Sequence, residues 1–100
     1  MLYHTLFFRL KPEVTEAQLA DFDAAFRRFE EIPHVKQVIV GPNIASAPSH
    51  QFSDGYSRAA IVVLEGREHF DAYVNHRIHK EGEDVGMWML DGMTIVDIEG

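Results

Sequence analysis

The stretch LYHTLFFRL, residues 2–10, carries apolar side chains on both faces of a strand. Alternate residues of a strand point to opposite sides, so His4, Leu6, Phe8 and Leu10 share one face and Tyr3, Thr5, Phe7 and Arg9 the other. A second run, RAAIVVL at 58–64, repeats the pattern, with Ala60, Val62 and Leu64 opposing Ala59, Ile61 and Val63. An antiparallel sheet with helices on one side buries one face and normally leaves the other polar. A second apolar face would be a large exposed patch, and such patches mark interfaces. The expectation is a homodimer packed sheet against sheet; the alternative is that the C-terminal segment folds across the second face.

Outward from the first run, KPE at 11–13 stops the strand, and Thr15 with Gln18 forms a capping box. Leu19, Phe22, Phe26 and Phe29 then recur at helical spacing, which predicts a helix from about Glu16 to Glu31. IPHV ends it, KQVIVG (36–41) is a short strand, and PNIASAPSHQFSDG (42–55) is a polar loop. YSRAAIVVLEG is the third strand, and a second helix starts near Arg67 with Phe70, Tyr73 and Val74 on one face. Its break is expected near His76. KEGEDVG (80–86) reads as helix-poor because of its two glycines, MWML as one or two further helical turns, and MTIVDIE, after Asp91-Gly92, as the fourth strand. The order β-α-β-β-α-β is the ferredoxin-like split arrangement, an α+β sandwich with a four-stranded antiparallel sheet.

A chain of 100 residues with 46% hydrophobic and 25% charged residues is one small soluble domain, spanning 1–100. The formal net charge of -7 and the interspersed basic residues disfavour nucleic acid. The absence of cysteine excludes disulfides, thiolate metal sites and cysteine nucleophiles. The N-terminus has no leader pattern, and no apolar run approaches ~18 residues, so a cytoplasmic protein without a membrane span is expected.

Four segments, HTLFFRLKPEVTEAQ, IPHVKQVIVGPNIA, DGYSRAAIVVLEGREHFDAYVNHRIH and MTIVDIE, resemble in order and spacing the stress-responsive dimeric α/β-barrel (Dabb) domains. The resemblance implies two ferredoxin-like subunits whose sheets pack into a shared barrel. It implies a less uniform function, since fold does not settle function. Some members are described only as stress-responsive, whereas others look like small cofactor-free enzymes, including plant polyketide (olivetolic acid) cyclases. Related barrels include lactone isomerases and cofactor-free monooxygenases. In the cyclases a histidine near the start of strand one and the second histidine of an H-P-x-H-like motif lie in a pocket between sheet and helices. Here His4 and His79 match them, and Tyr73 matches the tyrosine three residues before the motif's first histidine, His76. The chain departs from the pattern with Arg77 for the proline, Arg58 for a histidine in strand three and Phe26 for a tyrosine in helix one.

With strands one and three taken as adjacent and parallel, His4 and Arg58 would meet at one end of the sheet as a polar corner. An imidazole there, with a free pKa of ~6.5, suits proton abstraction α to a carbonyl. Arg58 would hold a carboxylate or steady an enolate. The competing reading of His4 is a buried imidazole satisfied by backbone. His69, His76, His79 and Glu83 fall on one helical stripe that could hold zinc if the helix were unbroken. Gly82 and the break at His76 argue against it, so no metal or other cofactor is expected; the family reading turns His79 inward and leaves His76 to orient the turn. Tyr73 can donate a hydrogen bond to a substrate oxygen or simply pack in the core. Trp88, Met87 and Met89 suit an adaptable cavity wall or plain core. Ser46, Ser49, His50 and Asp54 lack the setting of a nucleophile elbow and are set aside.

The resulting reading is a cofactor-independent lyase, cyclase or isomerase for an apolar carbonyl compound of polyketide-like or aromatic-degradation type. His4 and His79 are its acid/base residues, and Arg58, Tyr73, His76, Phe26 and Trp88 bind substrate. The alternative is a non-catalytic stress-responsive dimer that binds a small ligand.

Overall fold

The computed structural model describes residues 1–45 and 52–100. Four strands, β1 (Leu2–Leu10), β2 (Val35–Pro42), β3 (Arg58–Leu64) and β4 (Leu90–Glu99), form one sheet in the order β2-β3-β1-β4. All three pairings are antiparallel. Helices α1 (Glu16–Arg28), α2 (Phe70–Asn75) and α3 (Arg77–Gly86) complete the ferredoxin-like α+β fold. Among the described residues no helix is long and apolar enough to cross a membrane.

The capping box at Thr15 and Gln18 starts α1, and a short 3-10 turn, Phe29–Glu31, extends it. Phe22 and Phe29 are buried from this element, and Phe22 meets Phe8 of β1 edge-on at 5.2 Å between centroids. Burying each such ring stabilises the fold by roughly 1.5–3 kcal/mol.

Three expectations are corrected. Residues 80–86 are helical, because α3 runs through both glycines. A Cβ on Gly82 would lie 2.6 Å from the Phe29 ring and one on Gly86 3.1 Å from Phe22, so these residues let α3 approach the aromatic layer closely. Asp91-Gly92 lies inside β4 rather than before it: Leu10 pairs with Leu90 and Arg9 with Gly92, which leaves Asp91 in a bulge. Strands β1 and β3 are antiparallel, so Arg58 pairs with Phe8 while His4 pairs with Val62. The polar corner of His4 and Arg58 is therefore not formed.

The two faces follow the alternation. Leu6, Phe8, Ala60, Val62 and Leu64 are buried under the helices. Tyr3, Ile39, Val96 and Ile98 lie on the outer face and are exposed, with Ile61 between Thr5 and Ile39 in the centre. The C-terminal residues form the edge strand β4 and do not cover this face.

Candidate active site

A cavity of about 200 Å³ lies between the sheet and the helices. Its walls are largely aromatic and aliphatic, including Phe8, Phe22, Phe26, Phe29 and Phe70, and its polar groups are His4, Tyr73, His79 and Glu83. Met93 and Ile95 of the edge strand, 39% and 47% exposed, form part of the rim.

His4 is buried in the middle of this wall at 3% exposure. Its Nδ1 lies 2.5 Å from Oδ1 of Asp97, the residue directly opposite it on β4. A carboxylate on Nδ1 fixes the proton there and leaves Nε2 as the base. His79 repeats the arrangement one layer away. Its Nδ1 is 3.0 Å from Oε1 of Glu83, one helical turn further along α3, and its ring stacks on Phe29 at 5.1 Å. Burial lowers its pKa below the ordinary imidazole value, only partly offset by the hydrogen bond and charge of Glu83, which favours the neutral form.

Tyr73 stands between the imidazoles, with its ring centroid 6.0 Å from His4 and 4.8 Å from His79. It is 1% exposed, and desolvation pushes its phenol well above the ordinary value, so the hydroxyl stays protonated as a donor. Among the described residues no buried side-chain polar atom is both sealed off and unpartnered. The Tyr73 hydroxyl has no protein partner among them, and the residue lines the cavity.

The other expected site residues divide. Phe26 lines the cavity. His76 does not; it breaks α2 from α3 and caps α3, its Nδ1 accepting a hydrogen bond from the Ile78 N–H at 3.1 Å. Trp88 is 46% exposed and stays outside, and its neighbour Met87 takes the lining position. Arg58 is tied to Asp23 of α1 by two hydrogen bonds in a pair whose side chains are only 12% and 14% exposed. Removing one partner of such a pair costs about 3 kcal/mol, so Arg58 braces α1 against the sheet rather than binding in this cavity. The break at His76 also disrupts the helical metal stripe, because His69 lies on a separate 3-10 turn, Arg67–His69. Ser46, Ser49 and His50 lie outside the described residues, and Asp54 is paired with Arg9 at 2.8 Å.

Asp97 is absent from the sequence-based expectations, and Glu83 appears there only as a metal ligand, not as the partner of His79. Asp97 is the one acid among inward positions of MTIVD, a signal that gains meaning only with the β1–β4 register. Glu83 sits four residues after His79; helical spacing places both on one stripe, but as shared metal ligands, and the helix-poor expectation for residues 80–86 argues against their pairing.

An antiparallel ferredoxin-like sheet with a histidine-lined cavity beneath its helices defines the class. The chain belongs to the Stress responsive A/B Barrel Domain (Dabb) family, whose model matches residues 2–100. No curated protein matches it by sequence. Solved structures are similar over nearly the whole chain. A dimeric ferredoxin-like protein from Thermobifida fusca is 24% identical with a TM-score of 0.82, covering 99% of this chain and 90% of that one. A protein from Arabidopsis thaliana is 20% identical with a TM-score of 0.87, covering 100% and 95%. The hydroxynitrile lyase of Passiflora edulis is 16% identical with a TM-score of 0.84, covering 97% and 90%. At these identities the likeness is one of fold.

Proposed function

We propose that the chain is a cofactor-independent lyase, cyclase or isomerase that moves protons on an apolar carbonyl compound, and that it works as a cytoplasmic homodimer joined through the outer sheet face. The observation that carries this reading is the pair of carboxylate-bound imidazoles beside a protonated tyrosine whose hydroxyl has no partner among the described residues, in an apolar cavity. An imidazole Nε2 takes the proton α to the carbonyl, and the Tyr73 hydroxyl donates to the oxygen on which charge develops. The second imidazole returns a proton at the end of the cycle. Asp97 and Glu83 hold the tautomers and stabilise each imidazolium while it exists. The apolar walls suit a substrate with a hydrophobic body, and the fold shared with a hydroxynitrile lyase is compatible with such chemistry.

The test is exchange of α-protons for deuterium in a panel of apolar ketones, followed by NMR, a readout that works whichever carbonyl compound is the natural substrate. The unsubstituted protein is expected to catalyse exchange of at least one compound. His4→Ala and His79→Ala should each reduce the rate by about 100-fold or more while retaining the circular-dichroism spectrum and oligomeric state. If both variants lose stability and nothing else, the histidines are structural and the catalytic reading fails. Compounds that bind without exchanging would favour the non-catalytic ligand-binding reading.

A further inference from the structure

Away from the cavity, three side chains with metal-ligating atoms meet where β2 begins and β3 ends. His34 precedes β2, Glu65 follows β3, and His69 closes the 3-10 turn that leads into α2. One donor atom from each lies within 4.8 Å of the other two. His34 Nδ1 is 2.7 Å from Glu65 Oε2, and the His34 and His69 rings stack with centroids 3.8 Å apart and planes at 12°. The backbone beneath is tied down: the Glu65 N–H donates to the His34 carbonyl at 3.0 Å and the His69 N–H to the Gly66 carbonyl at 3.2 Å.

The turn that presents His34 is a costly place for a side chain. The Val35 N–H donates to the Ile32 carbonyl at 3.2 Å, with Pro33 and then His34 between them, and His34 has φ 70. The residue after proline in such a turn is normally glycine or asparagine, since the left-handed region costs other residues about 1 kcal/mol or more. Here an imidazole occupies it, directed at a carboxylate and a second imidazole.

We infer that His34, Glu65 and His69 form a binding site for a divalent transition-metal ion of the zinc type, each supplying one ligand atom and solvent completing the shell. Two imidazoles and a carboxylate are a suitable donor set for such an ion. Donors sharing one zinc lie at most about 4.2 Å apart, twice a bond of about 2.1 Å. Rotation of the His34 and Glu65 side chains, 50% and 43% exposed, can close the remaining gap. A second carboxylate, Glu68, has Oε1 3.6 Å from His69 Nε2 and adds to the local negative field. The bound ion would clip the end of the β2–β3 hairpin to the turn before α2, the helix that carries Tyr73. The site is separate from the cavity and does not depend on the catalytic reading.

The experiment is a titration of the tag-free, chelator-stripped protein with Zn²⁺ by calorimetry, and with Co²⁺ by visible absorption as a report of ligand geometry. One saturable site per chain and a higher Tm with zinc are expected. His34→Gly suits the left-handed turn and should fold at least as well as the unsubstituted chain. It and His69→Ala should each weaken zinc binding by at least about 10-fold. Zinc binding undiminished in both variants, or no saturable binding by the unsubstituted chain, would overturn the assignment.

Discussion

His79 shows how a single residue combines opposing forces. Desolvation lowers its pKa, and the hydrogen bond and charge of Glu83 pull it back up. Glu83→Gln removes the restoring part, so the His79 pKa should fall further below ~6.5 in an NMR titration of the imidazole protons; an unchanged or higher value would contradict the assigned balance. The folded-state value lies below the unfolded one, so the unfolded chain binds more protons as the pH drops. The contribution to stability is complete above ~6.5 and is lost as the pH falls through the lowered folded-state value, which Glu83→Gln should shift to more acidic pH. His4 and His79 are visible as candidates among the six histidines because their positions match a known pattern. The carboxylate partner of His4 is not, because Asp97 is 93 residues away and meets it only through strand register.

At the scale of elements, α3 depends on two glycines that local propensity counts against it. Ala is favoured over Gly in a helix by about 1 kcal/mol, whereas overpacking a filled core costs about 1–3 kcal/mol. At Gly82 the second effect should win: the Phe29 ring that a Cβ would strike is 4% exposed and held by Phe26, Tyr73 and His79. Gly82→Ala should therefore destabilise the protein by about 1 kcal/mol in chemical denaturation and slow the proposed proton exchange through the displaced His79 wall. Gly86→Ala, with a milder 3.1 Å approach to Phe22, should lie closer to neutral. Equal losses at both positions would sink the contact argument. The same weighing explains why residues 80–86 read as helix-poor and fold as helix: propensity is a local quantity, and packing against α1 overrides it.

For the molecule as a whole, the outer face of the sheet is the feature whose apolar side chains stay exposed among the described residues. Tyr3, Ile39, Val96 and Ile98 are 38%, 51%, 44% and 56% exposed there, around a centre formed by Ile61. If two chains bury this face together, the unsubstituted protein should run as a dimer in gel filtration with light scattering. Ile61→Arg would place an unpaired charge in the middle of the interface and should yield monomers. A monomeric unsubstituted protein would end the sheet-to-sheet proposal.

The order of strands and helices, the first helix cap and the double-sided apolar sheet can be read from the chain alone, because alternation, helical spacing and capping are local consequences of side-chain chemistry. The antiparallel character of the sheet as a whole is legible too, but not which residues meet across it. The presumed parallel neighbours β1 and β3 are antiparallel, which sends Arg58 to Asp23 and leaves His4 to Asp97. The helical stripe that would place His69 beside His76 is likewise undone by a break, and His69 instead stacks on His34 from 35 positions earlier in the chain. These pairings arise from register and helix docking, which bring distant residues together through the packing of the whole core.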